Sequence, residues 1–477
     1  MKMQRFKDRE RHMPLKRDAR ERARDFDEIY TPPKPELVAQ QAARCAQCGV
    51  PFCQAHCPLH NNIPDWLLLA AAGRVEEAYE ISSATNNMPE ICGRICPQDR
   101  LCEGSCVVEQ AHFGTVTIGA VEKQITETAW TQGWVKSLRP GTPRGATVGI
   151  IGSGPAGLAA AEELRLLGYG VTIYERADRA GGLLTYGIPN FKLDKSVVER
   201  RIKRLQEGGI EFALKTEIGE DISFEELRER HSALLLATGV YGTHRLQVPG
   251  RDLPGVISAL DYLIAENRRG LGDTLDAADD ARLNAHDKRV VVIGGGDTAM
   301  DCLRTAVRQG ASSVRCLYRR DHANMPGSAR EVENAKEEGV EFSWLAQPTG
   351  FMGESAVSTV KAQRMRLGQP NASGRRKVHA VPERSFELGA DLVIEALGFS
   401  AQSLPTLFGC EALGVTPSGT VKTNEALHTS IPGVFAAGDI VRGASLVVWA
   451  IRDGREAAAS MHTFIEKQRT SSKGGDA

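Results

Sequence analysis

Twice in this chain a run of branched apolar residues leads into a glycine turn and then a helix, and this repeat limits the fold more than any other feature. The first copy is the strand Val148-Gly149-Ile150-Ile151, the turn Gly152-Ser153-Gly154-Pro155-Ala156-Gly157, a helix to Leu167 and the strand Val171-Thr172-Ile173-Tyr174. The second is Arg289-Val290-Val291-Val292-Ile293, then Gly294-Gly295-Gly296-Asp297-Thr298-Ala299, a helix to about Gln309 and the strand Ser313–Tyr318. A strand that turns on glycine into a helix and returns as a parallel strand is the unit of a dinucleotide-binding sheet. The fold class is therefore α/β, with two Rossmann-like domains.

Each turn presents helix N–H groups to a pyrophosphate, and its glycines let the phosphate approach the backbone. In the first, Gly152, Gly154, Pro155, Ala156 and Gly157 form the turn. Glu175, at the end of the next strand, is expected to accept hydrogen bonds from ribose hydroxyls, which suits FAD or NAD and repels a 2′-phosphate. In the second, Gly294, Gly296, Asp297, Thr298 and Ala299 form the turn, and the ribose position reads Arg319-Arg320, with no acid before Asp321. Guanidinium groups pair well with phosphate, so NADPH is expected there.

Ahead of these domains no strand pattern appears between Glu36 and Gly133. Asn62-Ile63-Pro64-Asp65 reads as a capped helix start, and Val75 to Ile81 continues in helical periodicity. This region carries eight of the 11 cysteines, with the spacing Cys45-x2-Cys48-x4-Cys53-x3-Cys57-Pro58, then Cys92-x3-Cys96-Pro97, then Cys102-x3-Cys106. Crowded thiols in a chain without a secretory signal read as metal ligands before disulfides. The cysteine before a proline commonly serves the other cluster of a pair. That logic gives Cys45, Cys48, Cys53 and Cys106 to one 4Fe-4S cluster, and Cys57, Cys96 and Cys102 to a second, with Cys92 as candidate for the eighth ligand. Two four-thiolate zinc sites would use similar counts; the Cys-Pro steps and the adjoining nucleotide domains favour iron. Cys302, Cys316 and Cys410 are expected to be small apolar packing groups.

Leu234-Leu235-Leu236-Ala237-Thr238-Gly239 and Val434-Phe435-Ala436-Ala437-Gly438-Asp439 resemble segments of the two-dinucleotide-domain flavoproteins. The resemblance implies FAD in the first site, with Thr238, Gly239, Gly438 and Asp439 beside it. It also implies a flavin domain split by the nicotinamide domain: residues 1–143 would form the helical iron–sulfur domain, 144–250 and 398–477 the FAD-binding domain, and 251–397 the NADPH-binding domain. Neither nucleotide domain contains a Cys-x-x-Cys pair, which argues against a thioredoxin-reductase-like activity. Hydride transfer between bound cofactors needs orientation rather than an acid or base, so no catalytic side chain is expected.

More specifically, Cys45–Cys53, Ile91–Pro97, the turn 152–157, Gly181-Gly182-Leu183-Leu184-Thr185-Tyr186-Gly187-Ile188-Pro189 and Gly294–Asp301 resemble the small (beta) subunits of bacterial NADPH-dependent glutamate synthases. The family implies an electron-input subunit that oxidises NADPH at FAD. Electrons would pass through two 4Fe-4S clusters to a large (alpha) subunit that makes glutamate from glutamine and 2-oxoglutarate. It also adds Gly182 and Leu183 to the flavin contacts. The N-terminal part of dihydropyrimidine dehydrogenase is built similarly, and there a non-cysteine side chain completes one cluster at a position matching Glu122. Cys92 and Glu122 are thus both open as the eighth ligand. The motifs equally allow an electron-input subunit of another reductase, of pyrimidine-reductase or ferredoxin:NADP-oxidoreductase type.

The remaining totals exclude little else. A formal net charge of -1 gives no pull toward nucleic acid or anionic lipid. The apolar runs are too short for a membrane span, and a cytoplasmic location is expected. Residues 1 to about 30 are dense in charge, as a solvated arm or as a strap on a partner subunit; Thr31-Pro32-Pro33-Lys34-Pro35 ends any helix there.

Overall fold

The computed structural model describes residues 2–371 and 376–473; the last four residues of the expected FAD-binding segment lie outside this range. Two parallel sheets of five strands dominate. In the first the order is Val434–Ala436, Ala233–Leu236, Thr147–Ile151, Gly170–Glu175, Ile210–Leu214. In the second it is Val256–Ser258, Leu392–Glu395, Arg289–Ile293, Ser313–Tyr318, Glu341–Trp344. The central strands are buried along almost their full length, as parallel strands covered on both faces must be.

Because Val434–Ala436 returns to the first sheet, the second sheet is an insertion within it. The chain crosses between the two at an antiparallel ribbon, Gly242–Thr243 paired with Phe399–Ser400. A three-stranded antiparallel sheet, Ala346–Met352, Thr359–Pro370 and Arg376–Gly389, is appended to the inserted domain. The long helix Val447–Lys473 packs on helix Pro155–Leu166 so closely that a Cβ on Gly454 would lie 2.2 Å from the Ala156 carbonyl oxygen.

The N-terminal domain is helical: Pro35–Ala42, Ile63–Ala71, Val75–Thr85, Pro89–Ile95 and Ile118–Thr131 enclose Trp66, Leu67, Ala78, Val121 and Ile125. Asn62 stands at the N-cap of its helix but makes no side-chain cap; its Oδ1 accepts from Gln54 Nε2 at 2.7 Å instead. The charged arm is exposed along much of its length but anchored at two points. Arg22 is 1% exposed and pairs with Glu337 and Glu338 of the inserted domain, while Glu28 takes Arg94 and Lys123 of the helical domain. The arm thus ties two domains of its own chain together.

A second tie is the buried pair Arg201–Glu90, which joins helix Lys195–Glu207 of the first sheet domain to helix Pro89–Ile95 through two hydrogen bonds of 2.7 and 2.9 Å. Removing one partner strands a buried charge. Glu90→Ala should cost about 3–5 kcal/mol of stability, measurable as a lowered denaturation midpoint, whereas breaking the exposed pair Arg74–Glu77 should cost under about 1 kcal/mol.

Candidate functional site

At the end of its strand Gly152 turns with φ +104°, and a Cβ there would meet the Ala237 carbonyl oxygen at 2.4 Å. A Cβ on Gly157 would strike the Gly152 carbonyl oxygen at 2.1 Å, so this glycine sets how closely helix and strand approach. Gly154 differs: a Cβ there meets nothing within 4 Å, because its face opens on a cleft. The cleft holds ≈ 480 Å³ and is lined by Gly152, Gly154, Pro155, Ala156, Glu175, Gly182, Leu183, Thr238, Gly239 and Asp439. Of the expected flavin positions, only Gly157 and Gly438 stand behind the wall. A Cβ on Gly438 would come within 3.0 Å of the Ala156 Cβ.

Glu175 is buried, and its carboxylate already takes the Ser153 N–H at 3.0 Å, the Ser153 hydroxyl at 2.5 Å and the Ala177 N–H at 2.9 Å. It therefore both shapes the turn and faces the cleft, with further lone pairs to offer. Burial pushes the Asp439 carboxyl up to about 6. The sequence reading missed Arg176 and Tyr241, which stack at 4.4 Å on the cleft wall. It also missed Leu446, Val447 and Ala450, at the start of the C-terminal helix. Arg176 follows Glu175 directly; nothing local marks the others.

The second turn repeats the first. Gly294 sits at φ +149° with the Ala396 carbonyl oxygen 2.2 Å from its would-be Cβ, Gly296 again faces open space, and Ala299 is fully buried. Asp297 and Thr298 line the same cleft as the flavin-type positions; Gly294, Gly296, Ala299, Arg319 and Arg320 lie outside it. Arg319 is exposed and Arg320 half-buried. Asp321, the next acid in the chain, is engaged locally: its Oδ1 accepts from the Asn324 N–H at 3.0 Å and the Asn324 amide at 2.6 Å.

The eight cysteines form two groups. Cys45, Cys48, Cys53 and Cys106 together line a small cavity of ≈ 20 Å³ with Phe52, Leu67, Val116 and Ile118. Gln47, at φ +53°, folds back so that its N–H and side-chain amide reach the Cys45 sulfur at 3.5 and 3.4 Å. Burial pushes the Cys45 thiol up to about 11 and Cys53 up to about 12; a cationic cluster would reverse this preference and hold them as thiolates.

In the second group a hydrogen bond between the free Cys96 and Cys92 thiols, together with burial, raises Cys96 well above the ordinary thiol range. Burial, with Glu122 and Cys92 nearby, pushes Cys57 up to about 11. Cys102 is raised by burial and by Glu103, then by Cys57 and Glu122. Glu122 reaches this group from helix Ile118–Thr131, and burial pushes its carboxyl up to about 8. Its Oε1 accepts from Asn61, Ser82 and Asn86 at 3.4, 3.5 and 3.4 Å, while Asn86 also meets the Cys92 sulfur at 3.8 Å. Both candidates for the eighth ligand are therefore present. Cys302 and Cys316 are fully buried in the second sheet domain; Cys410 is only half-buried.

A second cavity of ≈ 240 Å³ includes Cys96 and Pro97 and shares Ile188, Asp297, Thr298, Asp301, Ser445, Leu446 and Val447 with the large cleft. The cleft between the two glycine turns thus shares a wall with a cavity lined by Cys96 of the second cysteine group. Across this junction Lys192 of the first sheet domain reaches Asp301 of the second at 2.8 Å. Among the described residues no helix is long and apolar enough to cross a membrane.

Two glycine-turn sheets, one nested in the other and facing a common cleft, define a two-dinucleotide-domain oxidoreductase. The family described as pyridine nucleotide-disulphide oxidoreductase matches residues 146–454. The family described as dihydropyrimidine dehydrogenase domain II, 4Fe-4S cluster, matches residues 22–134. The chain is 58% identical over 455 residues to the glutamate synthase [NADPH] small chain of Azospirillum brasilense, covering 95% of this chain and 94% of that one. It is 45% identical to the Escherichia coli K12 protein of the same name, with coverage of 97% and 98%. Among solved structures, Mycobacterium tuberculosis FprA in complex with NADPH shares the fold with TM-score 0.58 at 21% identity, over 69% of this chain and 86% of that one. The chain belongs to the family of NADPH-dependent glutamate synthase small chains and is an oxidoreductase of that class.

Proposed function

We propose that this chain oxidises NADPH at FAD and delivers the electrons, through two 4Fe-4S clusters, to a glutamate synthase large (alpha) subunit in the cytoplasm. That subunit would make glutamate from glutamine and 2-oxoglutarate. The observation that carries the reading is a shared wall: residues of both glycine turns line one cleft, and Cys96 lines the neighbouring cavity that shares its wall.

The first turn, with Gly182, Leu183, Thr238, Gly239 and Asp439, would hold FAD; the open face of Gly154 fits a pyrophosphate against the backbone. The second turn, with Arg319 and Arg320, would hold NADPH; the open face of Gly296 and the local engagement of Asp321 fit a 2′-phosphate. Cys45, Cys48, Cys53 and Cys106 would hold one cluster. Cys57, Cys96 and Cys102, with Cys92 or Glu122, would hold the other. Among the described residues no three Cys, His, Asp or Glu side chains converge as a single-ion site does. Thiols spread around a space suit a multi-iron cluster better than one zinc ion.

Bound FAD supplies a two-electron acceptor that can release electrons singly. The protein's part is placement: the turns fix both pyrophosphates, the apolar start of the C-terminal helix walls the junction, and Lys192–Asp301 spans the two domains beside it. Replacing Arg319 and Arg320 together by alanine should raise the Michaelis constant for NADPH by about ten- to a hundredfold, as loss of charge-assisted bonds does, and leave that for NADH within about twofold. Equal effects on both cofactors would count against the second site. The reading as a whole is tested by anaerobic purification with the large subunit, then NADPH-driven glutamate formation from glutamine and 2-oxoglutarate. A protein without flavin, iron and sulfide, or one whose flavin NADPH fails to bleach, would overturn it.

A further inference from the structure

Between Cys96 and Cys102 the chain makes one short turn, Gln98–Arg100, and this turn meets the second glycine-turn domain. Asp99 accepts from the Ser328 hydroxyl at 3.2 Å and from the Ala329 N–H at 3.3 Å, where helix Ala329–Glu337 begins. Arg100 donates to the Pro326 carbonyl at 2.5 Å and to Asp297 Oδ2 at 3.2 Å. Asp297 is the first residue of the helix that follows Gly294–Gly296, and its other oxygen takes the Ser328 N–H at 2.8 Å. The segment between these contacts rests on the glycine turn itself: the Gly327 N–H donates to the Gly295 carbonyl at 2.9 Å. The cysteine-bearing turn is braced in its place. The Gln98 carbonyl accepts from Glu103 and Gly104, and a Cβ on Gly104 would lie 2.0 Å from the Asp99 carbonyl oxygen.

A carboxylate at the first residue of a helix sits where an incoming pyrophosphate needs positive potential. Asp297 is such a carboxylate, and the charge beside it comes from another domain. We propose that Arg100 is a positioning residue for NADPH: contributed by the iron–sulfur domain, it offsets Asp297 and holds the Pro326–Ser328 segment on the second glycine turn. The inference rests on the assignment of that turn to NADPH. Arg100 also stands two residues before Cys102. Dinucleotide occupancy and the cysteine loop therefore share a contact, and a coupling of this kind acts equally in both directions.

The test is NADP+ binding to the oxidised holoprotein, followed by the flavin difference spectrum, together with the rate of flavin bleaching at saturating NADPH. Arg100→Ala should weaken NADP+ binding by on the order of tenfold and leave the saturated bleaching rate within about twofold. Arg100→Lys keeps a charge for Asp297 and should recover most of the affinity. In the wild type NADP+ should alter the electron paramagnetic resonance signal of the dithionite-reduced clusters, and in Arg100→Ala it should not. Unchanged NADP+ affinity in Arg100→Ala, or a lysine variant no better than alanine, overturns the inference. If the alanine variant sheds iron, the lysine variant decides: it supports the inference only if its NADP+ constant lies between wild type and a tenfold loss with clusters intact. A wild type that binds no NADP+ overturns the cofactor assignment beneath it.

Discussion

With Cys96 replaced by alanine, NADPH should still bleach the flavin at close to the normal rate, yet glutamate formation in the complex should fall below detection. Cys96 is 7% exposed, so no external thiol or solvent ligand replaces it readily. It also lines the second cavity, which shares a wall with the large cleft. Loss of this ligand should cost one of two clusters, so bound iron and sulfide should drop to about half. The first glycine turn is left intact, because its glycines, Glu175 and Asp439 do not line the cavity that holds Cys96. Stopped-flow bleaching, iron analysis and glutamate assay on one preparation read the three outcomes. Normal glutamate formation with half the iron would show that electrons leave the flavin by another route.

The second large effect separates two glycines three residues apart. Gly154→Val should yield a folded protein that binds FAD at least about a hundredfold more weakly, because the added methyls enter the space a pyrophosphate needs and collide with no protein atom near the Cβ. Gly157→Val should instead damage the fold. Its Cβ would fall 2.1 Å from the Gly152 carbonyl oxygen, and the helix must back away from the strand. Overpacking of this kind costs about 1–3 kcal/mol or more, roughly 2–4 °C in Tm for each kcal/mol in a domain of this size. Apoprotein melting curves distinguish the two: Gly154→Val should melt like the wild-type apoprotein and Gly157→Val clearly below it. Equal losses of FAD affinity and of apoprotein stability in both would mean that the two glycines have no separate roles.

The parts of the fold legible in the sequence are those whose cause is local. A glycine turn after a buried strand writes its φ requirement into consecutive residues, so both dinucleotide turns and the strands that flank them could be read directly. Cysteine spacing is equally local for Cys45, Cys48 and Cys53, whereas Cys106 comes from far along the chain to line the same small cavity. What was illegible depends on partners far along the chain. Arg22 looks like any charge in a solvated arm until Glu337 and Glu338 arrive beside it. Asp99 and Arg100 look like surface residues in a cysteine loop. Tyr241 has no motif of its own and stands on the cleft wall beside Arg176. Asn62 carried a cap signature, but a neighbouring Gln54 competed for its oxygen. Burial of charge, in particular, is a property of the assembled surfaces and leaves no mark in composition.

The docking of the arm also sets an order on biosynthesis. Arg22 and the Glu338 it meets are 316 positions apart, so at about 5–20 residues per second the ribosome finishes the acceptor roughly a quarter of a minute to a minute after the arginine emerges. Through that interval Arg22 has no acceptor, although Glu28 of the same arm already finds Arg94 and Lys123 in the helical domain. The arm is therefore fastened in two stages, first to the helical domain and only later to the inserted one.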